Sequence, residues 1–297
     1  MRALVISGGG SKGAYAGGVA EHLIRVQKRK YDIFVGTSTG SLLLTHLAVG
    51  EIDELYKAYT SVNQNSIFNR NPFVIRKKGN REYVTINYLN TLMQFAKGKR
   101  TFGESENLKK LILKSISRER FEQAREKVQD LVVTVSNLTK STVEYKSIKD
   151  FSYEEFCDWI WISCNYVPFM SLAKRNGYEY ADGGFGSIVP IGEAINKGAK
   201  TVDAIILKSE SMERLRVLGN NPFSLMMNIF KFMLDQVESG NVIEGQMAAR
   251  VNDVKLNLYY TPSKLIENSL YFNEELMRNW WQQGFEHAAE KALIKKK

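Results

Sequence analysis

Apolar and polar positions along the chain follow two periods, and they separate buried strands from helices. Ala3-Leu4-Val5-Ile6-Ser7, Ile33-Phe34-Val35, Asp130 to Asn137 and Val202 to Leu207 are continuous and partly β-branched. Each predicts a buried strand. Thr142 to Ser147 alternates, which predicts an antiparallel partner for Asp130–Asn137 across a hairpin at Leu138–Ser141. Tyr178-Glu179-Tyr180-Ala181 and Val254–Tyr260 predict further strands. Helical spacing places Ala14, Gly17, Ala20, Leu23 and Ile24 on one face, and Phe156, Trp159, Ile160 and Ser163 on another. Ser41–Val49 reads as a buried helix and Glu51–Val62 as a polar-faced one. Tyr88–Ala96 and Asn107–Ser117 predict amphipathic helices, Arg118–Lys127 a solvated extension, Ile191–Lys197 a short helix and Asn273–Ala292 a closing one. Asn63–Asn80 is rich in Asn, Arg and Lys and contains Pro72, so an irregular insertion is expected there, a lid or a rim. Pro222–Val237 is apolar nearly all round, with Phe and Met close together. Core packing is its expected role; a substrate-tunnel wall or lipid-contacting face is the sharper alternative, because Met-rich surfaces suit variable apolar ligands.

Composition narrows the class. A chain of 297 residues, 44% apolar and 25% charged, fits a soluble globular protein of one or two domains. Two cysteines, Cys157 and Cys164, make no disulfide framework and fit a reducing compartment, and no metal-site spacing occurs. No apolar run is long enough for a membrane span, and the apolar stretch after Met1-Arg2 is too short for a signal-peptide core. A cytoplasmic location is therefore expected. The net charge of +9 fits a solvated surface, with peripheral contact to an anionic membrane as the sharper reading. The basic residues are scattered at 28–30, 76–78, 97–100 and 295–297 without interleaved aromatics, so nucleic acid is not an expected partner.

Two glycine-rich turns carry candidate chemistry. Gly36-Thr37-Ser38-Thr39-Gly40 lies between a predicted strand and a predicted helix, the context of a nucleophile elbow. Earlier, Gly8-Gly9-Gly10-Ser11-Lys12-Gly13 separates the first strand from the first helix, so several backbone N–H groups can converge on a phosphate or a transient oxyanion, with Lys12 adding positive charge. The same glycines fit a dinucleotide fingerprint, but Asp32 begins the second strand instead of ending it, and the serine turn stands where the acid belongs. A Walker loop fails because no Gly-Lys-Ser/Thr comes after the glycines.

A serine hydroxyl needs a base. His46 is eight residues beyond Ser38 on the next helix, about 12 Å away against a hydrogen-bond reach of about 3 Å. His22 and His287 lie within helices away from strand ends. All three read as packing or surface residues. Asp182, ending a strand at Asp182-Gly183-Gly184, is the carboxylate best placed by type. A Ser38–Asp182 dyad is therefore expected, with Gly9 and Gly10 as the oxyanion loop.

Taken in order, Ser7–Gly13, Gly36–Gly40 and Asp182–Gly184 resemble the three signatures of the patatin-like phospholipase family. Ser163-Cys164-Asn165-Tyr166-Val167-Pro168-Phe169 resembles the segment that leads to the family's aspartate. Val189-Pro190-Ile191 with Ala194 and Gly198-Ala199 resembles the segment beyond that aspartate. Leu270–Asn273, Gly284 and Ala288 more weakly resemble a C-terminal segment of bacterial members. The resemblance implies an α/β fold of three layers, α/β/α, around a mostly parallel sheet. It spans most of the chain, so one domain over 1–297 is expected, with a helical insertion near 63–127 and a segment 208–297 completing the fold. It implies Ser38 as nucleophile, Asp182 as acid and base, Gly9 and Gly10 at the oxyanion, and Gly8, Lys12 and Gly13 supporting that loop. Gly36 and Gly40 frame the elbow. The implied activity is hydrolysis of phospholipid or lysophospholipid acyl esters, with no catalytic metal and no cofactor. Rival readings are an esterase for small soluble esters and a dinucleotide-binding protein using Gly8–Gly13. Nothing in the sequence assigns an oligomeric state.

Overall fold

Neighbouring residues of the central strands are apolar in both directions, so the sheet they build must be covered on both faces. The computed structural model describes residues 1–78, 81–210, 222–266 and 268–294. β1 (Arg2–Ile6) leads through the glycine loop to α1 (Gly13–Glu21), and β2 (Ile33–Thr37) leads to α2 (Thr39–Val49) and α3 (Ile52–Thr60). Next come α4 (Gln64–Ile67), β3 (Phe73–Lys78), β4 (Arg81–Ile86), α5 (Tyr88–Ala96), α6 (Glu106–Ser115) and α7 (Arg118–Lys127). β5 (Asp130–Asn137) and β6 (Thr142–Ser147) precede α8 (Tyr153–Ser163), β7 (Ala173–Arg175), β8 (Tyr178–Asp182), α9 (Ile191–Asn196) and β9 (Thr201–Ser209). α10 (Pro222–Val251), β10 (Lys255–Thr261) and α11 (Glu274–Ile294) close the fold.

The main sheet runs β10-β9-β1-β2-β5-β8-β7, with β6 also on β5. β10, β9, β1, β2 and β5 are mutually parallel, while β6, β8 and β7 join antiparallel. Alternation sorts the side chains. Ala3 and Val5 of β1 join Ile33 and Val35 of β2 in the core under α9 and the second half of α10. Leu4, Ile6 and Phe34 face the larger core built from α1, α2, α3, α6, α7, α8 and α11. The result is the three-layer α/β arrangement around a mostly parallel sheet.

One register detail positions the site. β2 pairs with Asp130–Thr134 of β5, and β6 takes the other edge of β5 from Val132 to Asn137. β8 lies opposite Val135–Asn137, so it takes over the β2 edge where β2 stops. Thr37 faces Thr134 and Asp182 faces Val135. The residue after Thr37 and the last residue of β8 are thereby brought end to end.

Four expectations change. Over its described residues, 63–78, the Asn63–Asn80 segment is not irregular: α4 is capped by Asn63, and β3 pairs antiparallel with β4; residues 79–80 lie outside the described residues. Phe73 anchors that pair, being buried and stacked on Phe169 at 5.3 Å. The α7 segment is not merely solvated, since Phe121 and Ala124 are fully buried. α10 runs on to Val251, because the apolar run gives way to an amphipathic stretch whose Val242 and Ala249 are buried. In its first half the expected core role fails: Leu225, Met226, Ile229, Phe232 and Met233 are exposed. The basic residues Lys295–Lys297 lie outside the described residues.

Candidate active site

Ser38 is the N-cap of α2 and sits at φ 54°, ψ −124°, a conformation that costs a non-glycine residue energy and persists only where its surroundings hold it there. Those surroundings are specific. The Ser38 backbone N–H donates to Ser163 Oγ at 2.9 Å, and the Ser163 hydroxyl donates to the Thr134 carbonyl at 2.7 Å. Ser41 Oγ lies 3.0 Å from Ser163 Oγ and donates to the Gly36 carbonyl at 3.0 Å. The elbow is thus fastened to β5 and α8 through buried hydroxyls. A β-carbon on Gly40 would stand 2.2 Å from the Ile6 carbonyl oxygen, so only glycine lets α2 begin this close to β1. Gly36 packs against the Gly40 backbone in the same turn.

Asp182 is 3% exposed. Its backbone N–H donates to the Asn165 carbonyl at 2.9 Å, and its carboxyl accepts from the Gly184 N–H at 2.7 Å. Burial pushes the carboxyl up to about 7, partly offset by the nearby Ser38 hydroxyl and by the hydrogen bond from the Gly184 N–H. Residues 163–165 therefore tie down both members of the pair, Ser163 holding Ser38 and Asn165 holding Asp182. Sequence reasoning assigned neither a role; a lone buried serine has no local pattern, because its partners are remote in the chain.

The glycine loop faces the same space. Gly8 N–H donates to the Ile188 carbonyl and Ser11 N–H to the Ser269 carbonyl. The N–H groups of Gly9 and Gly10 have no acceptor among the described residues. Gly10 has φ +55°, and a β-carbon there would meet the Ser269 carbonyl oxygen at 2.1 Å. The Gly10 carbonyl accepts from the Tyr59 hydroxyl at 2.7 Å, and Gly13 leaves room for that hydroxyl and for Thr39. Lys12 is half-buried, its ammonium donating to the Leu207 carbonyl. Burial lowers its pKa against the pull of Glu238 and Asp235. It braces the loop against β9.

Gly8, Gly9, Gly10, Ser38 and Asp182 line one cavity of about 2000 Å³. Its wall is largely apolar, with Leu42, Leu55, Leu108, Ile112, Met170 and Phe272 among the side chains on it. The histidines are elsewhere. His46 Nε2 is 3.2 Å from Ser115 Oγ, and burial lowers its pKa to about 4. His22 packs edge-on against Phe285, and His287 meets the Tyr15 hydroxyl. Asp32 accepts from the Arg2 N–H at 2.8 Å, at the amino end of β2, away from the glycine loop. That is the wrong end for a ribose-binding acid.

The family model of patatin-like phospholipases matches residues 4–195, from β1 through α9. The chain belongs to that family. The match takes in the glycine loop, the elbow and Asp182. Among solved structures, the chain is similar to VipD from Legionella pneumophila, at 15% identity and a TM-score of 0.48. The likeness covers 97% of this chain and 66% of VipD. No curated protein matches. Among the described residues of this patatin-like protein, no helix is long and apolar enough to cross a membrane.

Proposed function

We propose that this chain is a lipid acyl hydrolase of the phospholipase A or lysophospholipase type, working through a Ser38–Asp182 dyad. One observation carries the reading. A serine held in a strained elbow stands end to end with a buried carboxyl of raised pKa, inside a large apolar cavity. Asp182 takes the Ser38 proton as Oγ attacks the acyl carbonyl. The carbonyl oxygen becomes an oxyanion beside the Gly9 and Gly10 N–H groups, each such donor being worth about 3–4 kcal/mol in the transition state. Collapse breaks the ester bond, and Asp182 returns the proton to the leaving alcohol. Water, deprotonated by Asp182, then attacks the acyl-enzyme; collapse frees the fatty acid, and Asp182 returns the proton to Ser38 Oγ. The positive end of α2 at Ser38 favours the developing charge.

The test is acyl release from phospholipid and lysophospholipid by wild type, Ser38→Ala and Asp182→Asn. Loss in both variants is expected. Undiminished release in either would refute the dyad. Turnover confined to short soluble esters would favour the small-ester alternative. The size and apolar wall of the cavity favour long acyl chains.

A further inference from the structure

We propose that the exposed apolar faces of α5 and the first half of α10 together form the surface by which this protein docks on an anionic phospholipid bilayer, a proposal that rests on the acyl-hydrolase reading. Tyr88–Ala96 carries no charge, and on α10 none occurs before Lys231. Tyr88, Leu89, Leu92, Met93 and Phe95 of α5 are 45–69% exposed. On α10, Leu225, Met226, Ile229, Phe232 and Met233 are 51–59% exposed. Their spacing puts each set on one helix face. Amphipathic helices that bury their apolar side point it inward; these two point it into solvent. Contiguous apolar surface of this kind marks a site of interaction.

The two faces are joined through the protein. Phe95 packs on Phe102, Phe102 on Phe169, Phe169 on Tyr166 and Tyr166 on Phe230, with ring centroids 5.6–5.9 Å apart. Tyr166 and Phe230 both contact Phe185, three residues after Asp182. The surface is also continuous with the cavity. Phe232 is at once exposed and part of its wall, and Val84 and Thr85, just before α5, line it too. An acyl chain leaving a bilayer against this face would enter, at Phe232, the same cavity that Ser38 lines.

Charge selects the occupant. Lys97 at the end of α5 and Lys231 beside Phe232 on α10 are exposed, and the chain carries +9 overall. Uncharged apolar faces edged by cations fit the acyl boundary and headgroups of an anionic leaflet.

Vesicle co-sedimentation of the Ser38→Ala chain separates docking from turnover. The vesicles are phosphatidylcholine with and without phosphatidylglycerol. Leu89→Glu with Leu92→Glu, and separately Met226→Glu with Ile229→Glu, are each expected to weaken binding at least about tenfold. In the chain that retains Ser38, the same pairs should leave short soluble ester turnover within about twofold. The serine versions of both pairs give a milder loss in the same order and cover misfolding of the glutamate versions. Unchanged vesicle binding would overturn the proposal. So would equal loss of soluble-ester turnover, or equal binding to vesicles lacking phosphatidylglycerol. Sedimentation velocity showing a dimer that the glutamate pairs dissociate would replace the bilayer with a second copy of the chain. If the wild type cleaves no ester, the hydrolase reading fails, while the vesicle result still decides whether this face binds lipid.

Discussion

Asp182→Asn should destroy acyl hydrolysis and, at the same time, stabilise the fold at alkaline pH. The folded carboxyl is raised from 3.8 to about 7, chiefly by burial. The folded state therefore holds this proton more tightly than the unfolded chain. The resulting stabilisation is complete below about pH 4 and is lost as pH rises toward 7. Across that interval of about three pH units, the wild type gives up about 4 kcal/mol, an upper figure for one buried carboxyl. Asparagine titrates nowhere in this range, and its side-chain oxygen can still accept from the Gly184 N–H at the position where Asp182 does so at 2.7 Å. The variant's advantage should grow by roughly 2–3 kcal/mol between about pH 5 and about pH 8. Urea denaturation followed by tryptophan fluorescence measures it, since the chain has four tryptophans. A stability difference between the two proteins that is the same at both pH values would refute the reasoning, because it would mean that Asp182 does not titrate differently on folding.

The same carboxyl must be ionised to act as base, so kcat/KM should rise with pH through an acid limb near 7; a limb near 4 would contradict the burial of Asp182. Ser163→Ala should cost about 1–3 kcal/mol by stranding the Ser38 N–H. It should also lower kcat with little change in KM, measured by substrate-saturation kinetics and urea melts. Gln in place of His22, His46 or His287, one at a time, should leave acyl release within about threefold, since none touches Ser38 or Asp182.

Much of the fold was legible in the residue pattern, for definite reasons. β1, β2, β5 and β9 are buried on both sides, so they appear as unbroken apolar runs. The glycine loop, elbow and aspartate turn needed residue types that are locally rare, and their order carried the resemblance to the family. What stayed hidden depends on partners distant in sequence. β3 and β4 pair through their backbones and are fixed to the rest of the protein by Phe73 against Phe169, a contact no local period reveals. Ser163 and Asn165 act through single hydrogen bonds to Ser38 and Asp182. The first half of α10 looked like core because apolar content says nothing of which way a helix faces.

The position of β1 has a consequence for how the protein is made. β1 lies between β2 and β9, and its register pairs Arg2 with Thr201. A ribosome delivers β2 almost at once but takes roughly ten to thirty seconds more to reach β9, at about 5–20 residues per second. For that time the nascent sheet carries an open, apolar edge at its centre, the kind of edge that recruits other chains. The family match ends at residue 195, six residues before Thr201. A fragment cut at that boundary would leave the same edge open permanently, and aggregation rather than a minimal enzyme is its expected fate.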